Sequence, residues 1–264
     1  QRFFNGNKIE DFSFLMTIRI KIKIEYDGGL YIGWQRQRIG RSIQKEIENC
    51  LEELFRKKIS LYVSGRTDAG VHALGQIAHF DLNATNIEIS KISFALNHLL
   101  NKKKNKITIL KSEKISNTFN ARFSVKEKTY LYKILNRPVP SFIFEDRVWF
   151  IPQKLSLDLM RDAANCLVGK FDFNAFRSSD CQANTSIRSI KDIKIKKIGD
   201  IIEIRVVGKS FLHNQVRIIV GTIVKAGKNI WNKKKIVEIL NSKDRRNAGP
   251  TAPSFGLYLE KIKF

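Results

Sequence analysis

At 264 residues the chain has room for one large domain or two small ones, and the 43% of hydrophobic residues, spread along its whole length, excludes a disordered tail. No apolar run reaches the ~18 residues that a membrane span needs. Three scattered cysteines, Cys50, Cys166 and Cys181, have neither a disulfide framework nor metal-ligand spacing, so zinc is not indicated and a reducing cytoplasm suits the chain. Lysine and arginine number 48 against 25 acidic residues, a net charge of +23 that points to a polyanionic partner, most simply nucleic acid. Lys, Ile and Asn are abundant together, which also reflects compositional bias. Runs such as NKKKNK at 101–106 are accordingly read as solvated surface rather than as specific contacts.

The opening QRFFNGNKIEDFSFL is polar and unlike a secretory leader. Residues 1–15 are read as an upstream or non-native extension, with Met16 as the natural start. IRIKIKIEY at 18–26 alternates apolar and charged residues with period two, the pattern of a half-buried strand. A glycine-punctuated segment, YDGGLYIGWQRQRIG, leads into SIQKEIENCLEELFRKK at 42–58. There Ser42 is placed to cap a helix whose Ile43, Ile47, Cys50, Leu51, Leu54 and Phe55 share one face. Residues 63–80 are strand at both ends and turn in the middle. A second helix at 89–100 and a strand at 106–115 complete an order that resembles a split βαβ unit of the ferredoxin or RNA-recognition type.

The second half repeats this economy. KTYLYKILNR at 128–137 alternates, with Tyr130 and Tyr132 on one face. Residues 156–172 read as an amphipathic helix closed by Gly169, and 186–208 as a hairpin around Ile198-Gly199-Asp200. Two helices at 212–229 and 231–244 and a last strand, GLYLEKIKF, follow. The expected architecture is α+β, in two subdomains, 16–120 and 121–264, with mostly antiparallel sheets and a cleft between them.

The chemistry centres on GRTDAG, residues 65–70. An Asp in such a turn is commonly a local cap. Here the turn follows a strand, carries Arg66 within reach of a phosphate or base, and returns directly into GQIAHF, so it is presented at a sheet edge. His72 and His79 lack the partners a metal site needs. No nucleophile elbow, Walker motif or dinucleotide fingerprint is present; a glycosidase requires a second acid, for which Glu25 and Asp27 are the candidates, and neither sits in a comparably constrained motif. Tyr130 and Tyr132 follow a basic, aromatic stretch suited to stacking an unpaired base. Arg217 stands among Val216, Ile218, Ile219 and Val220, where an arginine is costly without an anion, and Asp68 is the candidate for that anion.

Five blocks in order, YDGGLYIGWQRQ, GRTDAGVHALGQIAHF, NARFSVKEKTYLYKI, FLHNQVRIIVGTIV and GPTAPSFGLYLEKI, resemble the TruA family of tRNA pseudouridine synthases, over nearly all of the chain after Met16. The resemblance implies the pseudouridine synthase fold, with ferredoxin-like subdomains around a central basic cleft. It also implies a homodimer, free of metal and cofactor, that isomerises uridine at positions 38–40 of the tRNA anticodon stem-loop. It places Asp68 on the catalytic aspartate, Arg217 on the basic residue paired with it, Tyr130 on the tyrosine that stacks on the target uracil, and Arg66 on the arginine that holds the base out of the stack. Gly29 stands where Thr or Ser is frequent, and Asn120 where His is frequent, which puts fine substrate contacts in doubt rather than the activity. Isomerisation exchanges nothing with an outside molecule, so one carboxylate suffices where a hydrolase needs two. Two rival readings use the same cleft: a tRNA-binding protein without catalysis, and a base-releasing glycosylase.

Overall fold

The computed structural model describes residues 17–83 and 85–264; the extension expected at 1–15 lies outside the described residues. Strand β1 (Ile18–Tyr26) buries Ile20, Ile22, Ile24 and Tyr26 and leaves Lys23 and Glu25 exposed, because successive strand residues face opposite ways. On its polar face Arg19 grips Asp81 through two hydrogen bonds of 2.8 Å, and Lys21 pairs with Glu113 at 2.6 Å. Helix α1 (Ile43–Phe55) begins where the Ser42 hydroxyl accepts from the Lys45 amide, and ends on Arg56 in the left-handed region. Ile43, Ile47, Cys50 and Leu51 meet the β1 isoleucines and Ile92, Leu96 and Leu100 of helix α2 (Ile92–Lys102) in one core.

Strands β2 (Tyr62–Val63), β3 (His72–Leu82), β4 (Ile107–Ile115), β5 (Glu127–Leu135), β6 (Trp149–Phe150), β7 (Gly169–Asp172), β8 (Ile187–Ile198), β9 (Ile201–Gly208) and β10 (Leu257–Lys263) join β1 in one ten-stranded sheet. Its order is β4-β1-β3-β10-β5-β9-β8-β7, with β2 on β3 and β6 on β5. The ladders are antiparallel except β10 with β3 and β5 with β6. The fold is therefore α+β with a mostly antiparallel sheet. The final strand is its keystone: β10 sets Leu259 opposite Ala73 of β3 on one side and opposite Tyr130 of β5 on the other, so both halves of the chain share one sheet.

Helix α3 (Leu157–Asn165) stops short of the predicted 156–172 span. Gly169, at φ +136°, does not close the helix; it opens β7, whose pairing with β8 (Phe171 opposite Arg188) claims residues 169–172 for the sheet edge. Helix α4 (Gln215–Gly227) is buried almost all round, with Val216, Ile218, Ile219, Val220, Ile223 and Val224 in the core; helix α5 (Lys233–Ser242) follows it. At roughly 1.5–3 kcal/mol per fully buried aliphatic side chain, that burial far outweighs a cap worth about 1 kcal/mol. Accordingly Asn214, at the head of α4, makes no capping bond and sits in the left-handed region at φ +58°. The predicted helix start at residue 212 is thus a turn, and that turn faces the site.

Candidate active site

The loop between β2 and β3 carries GRTDAG, and each of its ends is pinned. Ser64 donates twice to Ile77 O, at 3.0 and 2.9 Å, and the buried Gln76 amide donates to Gly65 O at 2.7 Å. Inside the loop the Thr67 hydroxyl meets the Tyr26 hydroxyl at 2.7 Å, and Val71 N donates to Asp68 O. Residues 28–34 brace it from behind: Trp34 N donates to Thr67 O at 3.0 Å, and Gly28 lies so close that a β-carbon there would fall 2.0 Å from Val71 O. The tip is therefore a rigid presentation of Asp68 rather than a mobile connection.

Asp68 looks into a cleft of about 1450 Å³ lined by both halves of the chain, including Arg66, Arg122, Lys128, Tyr130, Phe211, His213 and Arg217. Among the lining residues Asp68 and Asp180 are the only carboxylates, against Arg36, Arg66, Arg122, Lys128 and Arg217. The cleft thus carries the positive balance of the whole chain at close quarters.

The four residues singled out in the sequence all line this cleft. Tyr130 packs edge-on against Phe211, with centroids 5.2 Å apart. Burial, and then the nearby Asp68 charge, push its phenol above the ordinary range, so it stays a neutral ring lining the cleft. Tyr132, its neighbour on the same face, is fully buried and donates to Pro253 O at 2.8 Å, which makes it the core member of the pair. Arg66 is exposed and has no hydrogen-bond partner among the described residues.

Arg217 is where geometry departs from expectation. Its guanidinium donates to Ala252 O at 2.7 Å and to Asn214 Oδ1 at 2.8 Å, and among the described residues it forms no ion pair with Asp68. Its burial is made tolerable by a carbonyl and an amide, with Asp68 acting only at longer range. The side chain next to Asp68 is instead His213, whose Nε2 lies 3.3 Å from Asp68 Oδ1 while Nδ1 hydrogen-bonds Asp180 Oδ1 at 3.1 Å. Nor is the Asp68 carboxyl held low, as pairing with an arginine predicts. Burial raises it, and this outweighs the lowering by His213 and Arg217, while Asp180 adds to the rise.

The remaining candidates are structural. His72 accepts from Gly28 N at 3.1 Å and lies 3.2 Å from Asp27, and His79 Nδ1 accepts from Ala121 N at 3.2 Å while the ring stacks on Tyr62. Asp27 is engaged by Arg147 at 2.7 Å, and neither it nor Glu25 lines the cleft. His213, Asp180 and Lys128 were not singled out in the sequence. His213 stands inside one of the recognisable blocks, but nothing in a linear pattern shows that a turn before α4 aims it at residue 68.

A family profile described as tRNA pseudouridine synthase matches residues 22–124 and 163–264. The tRNA pseudouridine synthase A of Wolbachia pipientis wMel is 47% identical over 248 residues, covering 94% of this chain and 100% of the relative. Those of Neorickettsia sennetsu (strain ATCC VR-367 / Miyayama) and Anaplasma phagocytophilum (strain HZ) are 46% and 44% identical over 249 residues, with the same coverage. With one carboxylate presented on a braced loop to a basic cleft, and with matches running through both halves, the chain belongs to the tRNA pseudouridine synthase family.

Proposed function

We propose that Asp68 is the nucleophile with which this tRNA pseudouridine synthase isomerises uridine, and that its targets are positions 38–40 of the anticodon stem-loop. The observation that carries this reading is the setting of Asp68: a single carboxylate on a rigid loop, facing a buried tyrosine ring across a cleft otherwise rich in cations. The reaction breaks N1–C1′, turns the base and joins C5 to C1′; the C5 proton is lost and N1 gains one, so atoms balance within the nucleoside. A carboxylate can bond the electrophilic carbon while the base turns. The uridine must leave the stem-loop stack for this to happen, and Tyr130 stacks on the flipped ring while Arg66 holds it out of the stack. Arg217 supports the site from behind, through Asn214 and through its longer-range charge. The positive cleft engages tRNA phosphates, the scattered free cysteines suit a reducing cytoplasm, and the resemblance implies a homodimer that holds one tRNA across both copies.

Incubating the protein with unmodified tRNA and mapping pseudouridine chemically tests the reading. New pseudouridine is expected at positions 38–40, and the same positions should lose it in cells lacking the protein. Modification confined to another arm of the tRNA would overturn the assignment of target.

Lys128 supplies a second expected result. Its ammonium lies over Gly65, beside the catalytic loop, and burial, helped by Arg122, pushes its pKa down to about 8. A lysine depressed in this way is charged below that value and neutral above it, so its attraction for a phosphate is present at pH 7 and lost by pH 9. Affinity for tRNA should therefore fall across that window in the parent protein. Lys128→Gln should remove the pH dependence and lower the log–log salt slope of binding by about one. Lys128→Arg, charged throughout, should hold affinity to pH 9. Fluorescence titrations at several salt concentrations read both effects.

A further inference from the structure

The side chain that meets the Asp68 carboxylate is a histidine held at both ends. His213 lies 3.3 Å from Asp68 through Nε2 and hydrogen-bonds Asp180 through Nδ1 at 3.1 Å. The two segments that carry this arrangement are clipped to each other. Ser178 N donates to His213 O at 3.2 Å, the Asn214 amide donates to Ser178 Oγ at 2.7 Å, and Cys181 N closes a turn onto Ser178 O at 3.1 Å. Arg217, one helical turn on, holds Asn214 Oδ1 at 2.8 Å and so secures the turn that aims His213. Asp180 itself is mostly exposed, with 69% of its side chain accessible, so the fold does not bury it for packing.

We infer that His213, anchored by Asp180, is a positioning residue for the Asp68 carboxylate: it engages one oxygen and leaves the other to react. The inference rests on the proposed role of Asp68. An imidazole facing two carboxylates donates from both nitrogens only as the imidazolium, and in that form it offsets one of the two negative charges. The charged and titratable groups facing Asp68 are His213 and Arg217 from the head of α4, Asp180 from the loop at 178–181, and Tyr130 from β5, with Arg66 and Lys128 on the same cleft. Of these, only His213 comes within ion-pairing distance of Asp68 among the described residues. Burial opposes ionisation of Asp68, and His213 is the first of the two side chains that counter it. A carboxylate swinging freely would also spend most of its time away from the attack geometry, which an anchored neighbour prevents.

The test is the single-turnover rate of pseudouridine formation against pH, with enzyme in excess over tRNA, for Asp68→Asn, His213→Phe, His213→Gln, Asp180→Asn and the double variant His213→Phe/Asp180→Asn. His213→Phe is expected to move the acid limb upward by about one pH unit and to slow the reaction at pH 7 by roughly 10–100-fold, with tRNA affinity within about twofold. His213→Gln keeps an N–H toward Asp68 without the charge, so it should recover part of the rate and none of the limb. Asp180→Asn should slow the parent about 3–10-fold and have no effect in the His213→Phe background, because it acts through that ring. An acid limb that stays in place in His213→Phe, whatever the rate, shows a merely structural histidine and overturns the inference; so does an undiminished Asp180 effect in the double variant. Full activity in Asp68→Asn would instead sink the reading of Asp68 itself, which separates the two failures.

Discussion

Replacing Asp68 with asparagine is expected to give a folded protein that binds tRNA and makes no pseudouridine. The amide has nearly the shape of the carboxyl, so the loop pinned through Thr67, Gln76 and Trp34 keeps its form. What goes is the nucleophile, and losses of that kind run to roughly four orders of magnitude or more in the chemical step. Stability should move the other way. The Asp68 pKa is raised in the folded state by burial, so folding favours its protonated form. Its contribution to stability is fully present below the unfolded pKa of about 3.9 and is lost as pH rises through the folded value. At neutral pH the ionised Asp68 is thus a cost to the fold, and Asp68→Asn should melt at the same temperature as the parent or higher. Melting curves at pH 7.5, tRNA titrations and pseudouridine mapping on one preparation check all three parts. A protein that only binds tRNA makes no pseudouridine in the parent either, and a glycosylase leaves free uracil among the parent's products.

The elements that periodicity reveals are those whose burial is set by their own residues. The β1 isoleucines, the α1 face from Ile43 to Leu51 and the apolar run of α4 all fall where the pattern puts them. Where a neighbour decides, the pattern misleads. Residues 169–172 carry a helical apolar spacing, yet β8 offers an unpaired edge, and the ladder takes them. Nothing local in GLYLEKIKF says that it slots between β3 and β5 and ties the halves together. The site divides in the same way. Asp68, Arg66, Tyr130 and Arg217 stand in local motifs and all line the cleft, but which side chain touches Asp68 depends on a turn at 212–214 that the apolar run conceals. An arginine among aliphatic residues invites pairing with the nearest interesting anion. Here it is satisfied by Ala252 O and Asn214 instead, and the less conspicuous His213 takes the place beside Asp68.

Gly33→Ala is expected to cripple catalysis from behind the loop, with tRNA affinity little changed. Gly33 holds φ at +105°, where a residue with a β-carbon is strained by about 1–3 kcal/mol, and that carbon would fall 2.7 Å from Thr67 O and 3.2 Å from both Ala69 N and the Asp68 carbonyl carbon. One side of the contact must yield. Gly33 O accepts from Ile43 N and Trp34 O accepts from Gln44 N, so retreat on that side would unpin the first turn of α1 from its core-packed position. The loop at 67–69, braced but tied to no helix, yields instead and carries Asp68 with it. A displacement approaching 1 Å at a reacting group costs on the order of 100-fold in rate, so the single-turnover rate should fall by about that much and the melting temperature should fall as well. Gly199→Ala is the matched control: φ there is +57°, in the turn between β8 and β9, and an added carbon meets nothing within 4 Å. It adds backbone strain alone and should destabilise the protein modestly at the parent rate. If Gly33→Ala loses no more activity than Gly199→Ala, the segment at 28–34 does not position Asp68, and the precision of the loop must come from the bonds of Gln76 and Ser64 on its other side.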